Sequence, residues 1–458
     1  MLLDKYEADN IFERIPGLTL QMSPELATID RVLDDDELFC LIRQDLAQRY
    51  PKTEIAGRNS TPVEVILRML AVRHLYTLGY EQTEHQVADS LVLRQFCRVY
   101  FEAVPDHTTL WRWAQLIQPE TLQAFNARLI RLAVADKLTR GRKLRTDGMV
   151  VETNIHHPTD SSLLADSVRV LGRTLSRARQ ILSDQPGAAK QLFRNRTRSA
   201  KRAARTIGRA SGRQRELIRA HYQGLLKTTR ATIQPAQQVL QLLQTEAQSS
   251  GAALIKTLET FLPRAQHVVD QTTRRILKQE AVPATEKLVS IFEPHTDIIR
   301  RGKANKATEF GHKIWLGEVE GGFISHHRIL EGNPTDDQQW SPTLQQHQHL
   351  FGHPPWQASA DRGVYSPTNE QYAHQLGVQR VILPQSGRKA EARRRYERQG
   401  WFRRGRRFHV GIEGRISVIT RKHGLDRCRD RGRIGFERWV GWGIVANNLT
   451  MFGRAQTR

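Results

Sequence analysis

The sequence predicts a mixed α+β/α/β protein: an N-terminal helical domain, then a mixed-sheet core interrupted by a long basic helical insertion. Three observations predict this. Apolar residues recur at helical spacing between about 37 and 138. Strand-like segments begin near 142 and return near 312–330 and 378–383. Between them lies helical sequence whose centre, Arg173 to Arg230, holds 16 Lys and Arg against two acids, Asp184 and Glu216.

Composition sets the class of partner. The chain has 458 residues, enough for two or three domains. Its formal charge of +23 and pI near 10.4 exceed what solubility requires and point to a polyanion, nucleic acid first. Cys40, Cys97 and Cys428 are odd in number and far apart, which excludes a disulfide framework and a thiolate zinc site. That usage suits a reducing cytoplasm. No apolar run of about 18 residues is present, so no spanning helix is expected. The N-terminus carries no signal-peptide pattern, and a cytoplasmic, nucleoid-associated location is expected.

Residues 1–36 read as a partly ordered leader, acidic toward Asp34-Asp35-Asp36. Residues 37–138 read as a helical domain. Pro62 suits a first turn, Val63, Ile66, Leu67, Leu70 and Leu78 keep helical spacing, and Gly79 suits a stop. Thr83 and Gln86 stand three apart, as in a capping box. A further helix starts near Asp106-His107-Thr108-Thr109. Short helices with tight turns suit a helix-turn-helix. If the last one enters a major groove, His107, Thr108, Arg112 and Gln115 are candidates for DNA contact. The competing reading is a plain bundle with Trp111 and Trp113 as packing residues.

Residues 139–162 form the first part of the core, residues 163–295 the basic helical insertion, and residues 296–458 the remainder of the core with a C-terminal helix. In the insertion, Lys201, Arg202, Arg205 and Arg209 lie among alanines. Like charges at i,i+4 repel unless a polyanion neutralises them, so contact with DNA phosphates is expected. Further on, His312–Val319 and Phe323–Leu330 alternate as strands around a Glu320-Gly321-Gly322 turn. A helix is expected over Thr335 to Leu350, a strand into Asp361, and a buried strand at Val378–Leu383. The apolar stretch Trp439–Leu449 suits a closing helix.

Three acids stand out against this basic background: Asp147, Asp361 and Glu413. The first ends Lys143-Leu144-Arg145-Thr146, the second precedes Arg362-Gly363, and the third lies where a helix is expected to begin. Carboxylates from strand ends and a facing helix can converge on hard divalent cations, which prefer oxygen ligands. Arginines crowd around the third acid. Arg406, Arg407, Arg421 and Lys422, with Arg362 and Lys313, are candidates for gripping a DNA backbone. Trp401 can stack on an unpaired base or simply pack. His347, His349 and His353 lie in a Gln-rich stretch and read as a polar helix face rather than a zinc site.

Several motifs resemble a known family. The run from Arg145-Thr146-Asp147-Gly148 through Leu163-Leu164 resembles the first catalytic strand of bacterial DDE insertion-sequence transposases of an ISNCY-like group. Ala360-Asp361-Arg362-Gly363-Val364-Tyr365 resembles their second acidic motif. Gly411-Ile412-Glu413 through Arg429-Asp430-Arg431-Gly432 resembles the third. The Pro105–Trp113 segment is similar to their N-terminal domain. The resemblance implies an RNase H-like core, which the order of three antiparallel strands followed by alternating strands and helices matches. It also implies two Mg²⁺ ions, replaceable by Mn²⁺, held by Asp147, Asp361 and Glu413. The implied reaction is cleavage of transposon ends in double-stranded DNA and transfer to target DNA, by a dimer or larger assembly on DNA. Where many relatives carry a tyrosine, an arginine and a lysine around the glutamate, this chain has Arg406, His409 and Thr420. Two other readings remain open: a non-catalytic transposase-derived DNA-binding protein, and a metal-dependent nuclease without strand transfer.

Overall fold

The computed structural model describes residues 1–6, 22–50, 52, 57, 59–182, 190–210, 215–245, 251–300 and 307–455. Helices α1 (Pro24–Leu33), α2 (Asp36–Ala47), α3 (Val63–Leu75), α4 (Tyr80–Asp89), α5 (Leu91–Phe96), α6 (His107–Ala114) and α7 (Pro119–Ala135) precede strand β1 (Lys143–Glu152). Helices α8 (Asp160–Leu182), α9 (Thr197–Arg209), α10 (Arg215–Thr245) and α11 (Ala252–Thr272) follow, then strand β2 (Asp297–Ile299). Strands β3 (Glu309–Val319) and β4 (Ile324–Ile329) lead to α12 (Trp340–Phe351), β5 (Gln357–Ser359), α13 (Pro367–Gln375) and β6 (Arg380–Ile382). Helices α14 (Glu391–Arg398), α15 (Gly400–Lys422) and α16 (Gly432–Ala455) complete the order.

The chain divides into two compact units: residues 1–153 with 311–458, and residues 154–310. In the first unit the sheet runs β4, β3, β1, β5, β6. Strand β1 pairs antiparallel with β3, and β3 with β4, while β1, β5 and β6 run parallel. Gly321 and Gly322, at φ +86° and +84°, turn β3 into β4 in a backbone region that favours glycine. One face of the sheet joins the helical N-terminal segment: Leu144, Trp315 and Ala358 share a core with Leu67, Leu110 and Phe125. The other face packs Met149, Val151 and Leu316 against Ile419, Phe436 and Val440. Helix α16, with Trp439, Trp442, Asn447 and Asn448 all buried, ties the layers together. Asn448 donates to Asn126 Oδ1 at 2.7 Å and accepts the Ile324 N–H at 2.9 Å.

The second unit is a helical bundle. Leu171, Leu175, Leu225, Val239, Leu258 and Val268 form its core on α8, α10 and α11. Helix α9 contributes only Ala200 and Ile207 as buried residues.

Several sequence expectations shift. Of the expected leader, residues 7–21 lie outside the described residues, but Pro24–Leu33 is a helix with Leu26, Ile29, Val32 and Leu33 buried. Ser23 caps it and Pro24 opens it, signals that the acidic composition obscured. The helical N-terminal segment and the sheet share one unit rather than forming two, because α16 returns to pack on α1, α3 and α7. The second unit is wider than the expected insertion, 154–310 against 163–295. Gly79 starts α4 rather than stopping α3: Gln82 accepts its N–H at 2.9 Å and Thr83 donates to its carbonyl at 2.8 Å. Gln82 thus plays the part expected of Gln86. The helix expected from Thr335 begins at Trp340 after a tight turn over Asp336–Gln339. Parts of the basic stretch, residues 183–189 and 211–214, lie outside the described residues.

Candidate active site

Strand β1 alternates cleanly. Arg145, Asp147, Met149 and Val151 share one face by the two-residue period of a strand, and this is the face that α15 covers. Arg145 anchors the covering helix. Its guanidinium meets Glu318, directly opposite on β3, through Nε at 2.7 Å and Nη2 at 2.6 Å. Its Nη1 donates to the Phe408 carbonyl of α15 at 2.5 Å. Glu318 is fully buried, and such a charge is tolerated only when paired. Glycines let the helix come this close. A Cβ on Gly411 would stand 2.2 Å from Arg145 Nη1, and one on Gly405 would stand 2.4 Å from Ile382 Cγ1.

The parallel register places the first two acids. The pairing ends at Arg145–Ser359; Asp147 and Asp361 each follow two residues beyond that pair, Asp361 already past the end of β5. Asp147 is half-buried, with Oδ1 accepting the Gly148 N–H at 2.6 Å. Asp361 lies just past β5 with a side chain 67% exposed. Its Oδ1 accepts a hydrogen bond from His409 Nε2 of α15 at 3.0 Å. That bond, helped by the charge of Arg362, holds the Asp361 carboxyl below its usual range despite partial burial.

Glu413 is on the same helix. The expected helix start at this residue is corrected: Glu413 is deep inside α15, which begins at Gly400. The inner stripe of α15 is Phe402, Gly405, His409, Ile412 and Ile419. Glu413 is exposed beside that stripe, one turn after His409. Arg145 reaches α15 at Phe408, and Met149 and Val151 share a core with Ile419. Along α15, Gly405 meets Ile382 of β6, Phe408 meets Arg145 of β1 and Arg415 meets Glu318 of β3, residues that pair at one level of the sheet, so the helix crosses the strands and Glu413 lies between its contacts with β1 and β3. Asp361 is tied to α15 through His409, one turn before Glu413.

As they stand, no three His, Cys, Asp or Glu side chains among the described residues form a group able to hold a metal ion. The donor set nonetheless suits Mg²⁺, which takes oxygen ligands and usually binds through one or two carboxylates plus substrate phosphates. Asp147 on β1 and Asp361 just past the neighbouring β5 are the carboxylates that would meet that need. The exposed oxygens of Asp361 are accessible to an ion.

The basic candidates separate by exposure. Arg362, Arg406, Arg407, Arg421 and Lys422 are exposed around this region. Arg112 is exposed on α6, and Gln115 accepts a bond from Arg438 Nη2 at 3.0 Å. Trp111 is half exposed whereas Trp113 is buried, so the two tryptophans differ in role. Lys201, Arg202, Arg205 and Arg209 are all exposed on α9. Lys313 is the exception. It is 7% exposed, and its Nζ meets Asp336 at 2.7 Å and the Pro334 carbonyl at 2.8 Å, an internal tie rather than a free cation. His347 is buried against Gly141 O and Phe351, so the histidine cluster does not present one polar face.

Sequence reading missed the roles of Arg145, Glu318 and His409. The signals were a charged pair on adjacent strands and a histidine four residues before the third acid.

Comparisons with known proteins bear on the other end of the chain. Residues 18–116 match the model of a family described as Transposase domain (DUF772). The match supports a transposase and, with it, DNA as a partner. Neither a curated protein nor a solved structure matches the chain. No helix among the described residues is long and apolar enough to cross a membrane.

Proposed function

We propose that this protein is a DDE-type DNA transposase that cuts and rejoins DNA strands at the Asp147–Asp361–Glu413 end of its sheet. The observation that supports the reading is the β1–β5 pairing at Arg145–Ser359, two residues short of Asp147 and Asp361, together with the His409–Asp361 bond from the helix bearing Glu413. The strand order β4, β3, β1, β5, β6, antiparallel among β1, β3 and β4 and parallel beyond, supports an RNase H-like core. The DUF772 match supplies independent support for transposition over a simple nuclease.

The residues divide the work. Asp147 and Asp361 would hold two Mg²⁺ or Mn²⁺ ions with Glu413. Such ions, when bound, activate the attacking oxygen and stabilise the leaving one. His409 holds the Asp361 carboxylate through Nε2, and the Arg145–Glu318 pair fixes the helix that carries His409 and Glu413. The exposed Arg406, Arg407, Arg421 and Lys422 neutralise and orient the DNA backbone. Helices α4 to α6, the last capped by Asp106, whose Oδ1 accepts the N–H groups of Thr108 and Thr109, would form the helix-turn-helix-like reader of terminal repeats, with Arg112 exposed on α6. Two DNA ends must meet, so the working form is a dimer or larger assembly on DNA.

The test is cleavage of a labelled duplex carrying the element's own ends, in Mg²⁺ or Mn²⁺, by wild type and Asp361→Ala. Nicking at the end, lost in the variant while DNA binding persists, is the expected result. Strand joining in the same reaction distinguishes a transposase from a nuclease. Binding without cleavage by the wild type under every metal condition would sink the reading in favour of a non-catalytic DNA-binding protein.

A further inference from the structure

Strands β1 and β5 stop pairing at Arg145–Ser359, short of the two acids to which they lead. An ion pair stands behind that point. Lys313 of β3 pairs with Val150 of β1, so its place is fixed by the strand that carries Asp147. Its buried side chain reaches Asp336 Oδ1 at 2.7 Å and donates to the Pro334 carbonyl at 2.8 Å. A lysine so deeply placed needs its counter-charge, and Asp336 is held where Lys313 meets it.

The Asp336 carboxylate lies beside both acid-bearing segments. A Cβ on Gly148, the residue after Asp147, would stand 3.2 Å from Lys313 Cε and 3.6 Å from Asp336 Oδ1. A Cβ on Gly363, two residues after Asp361, would stand 4.0 Å from Asp336 Oδ2. By strand alternation Gly148 looks away from the face that Asp147 shares with Arg145, so the pair backs β1 from the opposite side. The turn bearing Asp336 is also joined to the turn that follows Asp361. Asn369 Nδ2 of α13 donates to the carbonyls of Asp337 and Val364, both at 2.9 Å. The Val364 N–H closes back on the Asp361 carbonyl at 3.1 Å.

We propose that Lys313 and Asp336 are positioning residues that set the spacing of Asp147 and Asp361, holding the Asp361 turn against β1 from the face opposite His409. The inference rests on the transposase reading, in which those two carboxylates bind the metal ions. It gives Lys313 a task other than gripping DNA. Supporting partners of this kind typically govern metal affinity by about 10- to 100-fold.

The experiment compares full-length wild type, Asp336→Asn, the double variant Lys313→Met/Asp336→Asn, and Asp337→Asn, which removes the same charge one residue away. Three quantities are read: melting temperature, hydrogen exchange across residues 361–365 without metal, and Mn²⁺ affinity by calorimetry. The double variant leaves no unpaired charge and should melt close to wild type. It should nonetheless exchange faster at 361–365 and bind Mn²⁺ about 10- to 100-fold more weakly, as should Asp336→Asn. Asp337→Asn should match wild type. Asp336 is 33% exposed, so its single variant serves if the double variant does not fold. Recovery of Mn²⁺ affinity together with melting temperature in the double variant would make the pair merely structural and overturn the proposal. So would wild-type exchange and affinity in Asp336→Asn, or an equal loss in Asp337→Asn. Wild type that neither binds Mn²⁺ nor cleaves DNA sinks the transposase reading and this role with it; wild type that does both, matched by its variants, sinks this role alone.

Discussion

Helices α9 and α15 are both rich in arginine, yet they are built for different tasks. Helix α9 buries only Ala200 and Ile207 and exposes Arg198, Lys201, Arg202, Arg205 and Arg209 with no acid among them. It is a charged stripe on a shallow apolar footing, suited on the proposed function to meeting a polyanion. Helix α15 also exposes Arg403, Arg404, Arg406 and Arg407. Its inner face, however, carries glycines that bring it within reach of the sheet, a histidine bonded to Asp361, and Glu413 at the rim. Charge alone defines a binding surface; close approach plus acids defines a place for chemistry.

The largest effect should come from the acids. Asp147→Asn, Asp361→Ala or Glu413→Gln should lower metal-dependent cleavage roughly 10³-fold or more while leaving DNA affinity nearly unchanged. Cleavage at the wild-type rate by all three variants would erase the distinction between the helices. Next is His409. Removing its bond to Asp361 in His409→Ala should weaken Mn²⁺ binding about 10- to 100-fold, as loss of a supporting partner does elsewhere. His409→Gln, which retains a donor, should restore most of it. Titration calorimetry of the apo-protein reads both, and equal affinity in the Ala and Gln variants would argue that His409 only packs.

Helix α9 should show the opposite profile. Replacing Lys201, Arg202, Arg205 and Arg209 with Gln should flatten the salt dependence of duplex binding by about 0.9 in log–log slope for each phosphate that α9 no longer neutralises. Thermal stability should hold, because all four residues are exposed. An unchanged slope would remove α9 from the DNA interface. Smaller still is a pair of glycine substitutions within α15. Gly405→Ala should cost about 1–3 kcal/mol by overpacking Ile382. Gly414→Ala, where nothing lies within 4 Å of the new Cβ, should gain about 0.5–1 kcal/mol. Chemical denaturation of the two variants checks the opposite signs.

A last effect falls on the sheet unit rather than on either helix. Burial pushes His326 down to about 3, and His327, His347 and His423 to about 4. Below the ordinary value of 6.5 the unfolded chain takes up protons that the folded chain refuses, so folding stability is full above about pH 6.5 and falls toward pH 4. A melting temperature flat between pH 7 and 4.5 would show that these rings are not held neutral.

Much of this was legible in the sequence. The strand pattern around Asp147, the Gly321-Gly322 turn and the basic stripe of α9 follow from alternation, turn chemistry and charge, all local properties. What escaped was non-local. Glu318 looks like a solvent residue on a strand until Arg145 stands opposite it. Lys313 looks like a free cation until Asp336 returns to it from a distant turn. Helix α1 was hidden because the run Asp34-Asp35-Asp36 read as the acidic end of a leader, whereas Asp30 within the helix and Asp34 at its C-cap both pair with the fully buried Arg68 of α3. The placement of Glu413 inside a long helix was obscured by glycines, which ordinarily lower helix propensity and here serve close packing on the sheet.

The interruption of the sheet by residues 154–310 has a consequence during synthesis. Strand β1 leaves the ribosome with none of its partners made, and at about 5–20 residues per second it waits on the order of ten to thirty seconds for β3. The helical bundle can finish folding in that interval. Glu413 arrives later still, after every strand of the sheet. On the proposed function, incomplete polypeptides carry the basic surface of α9 long before they carry Glu413, so a prematurely released chain is expected to occupy DNA without breaking it.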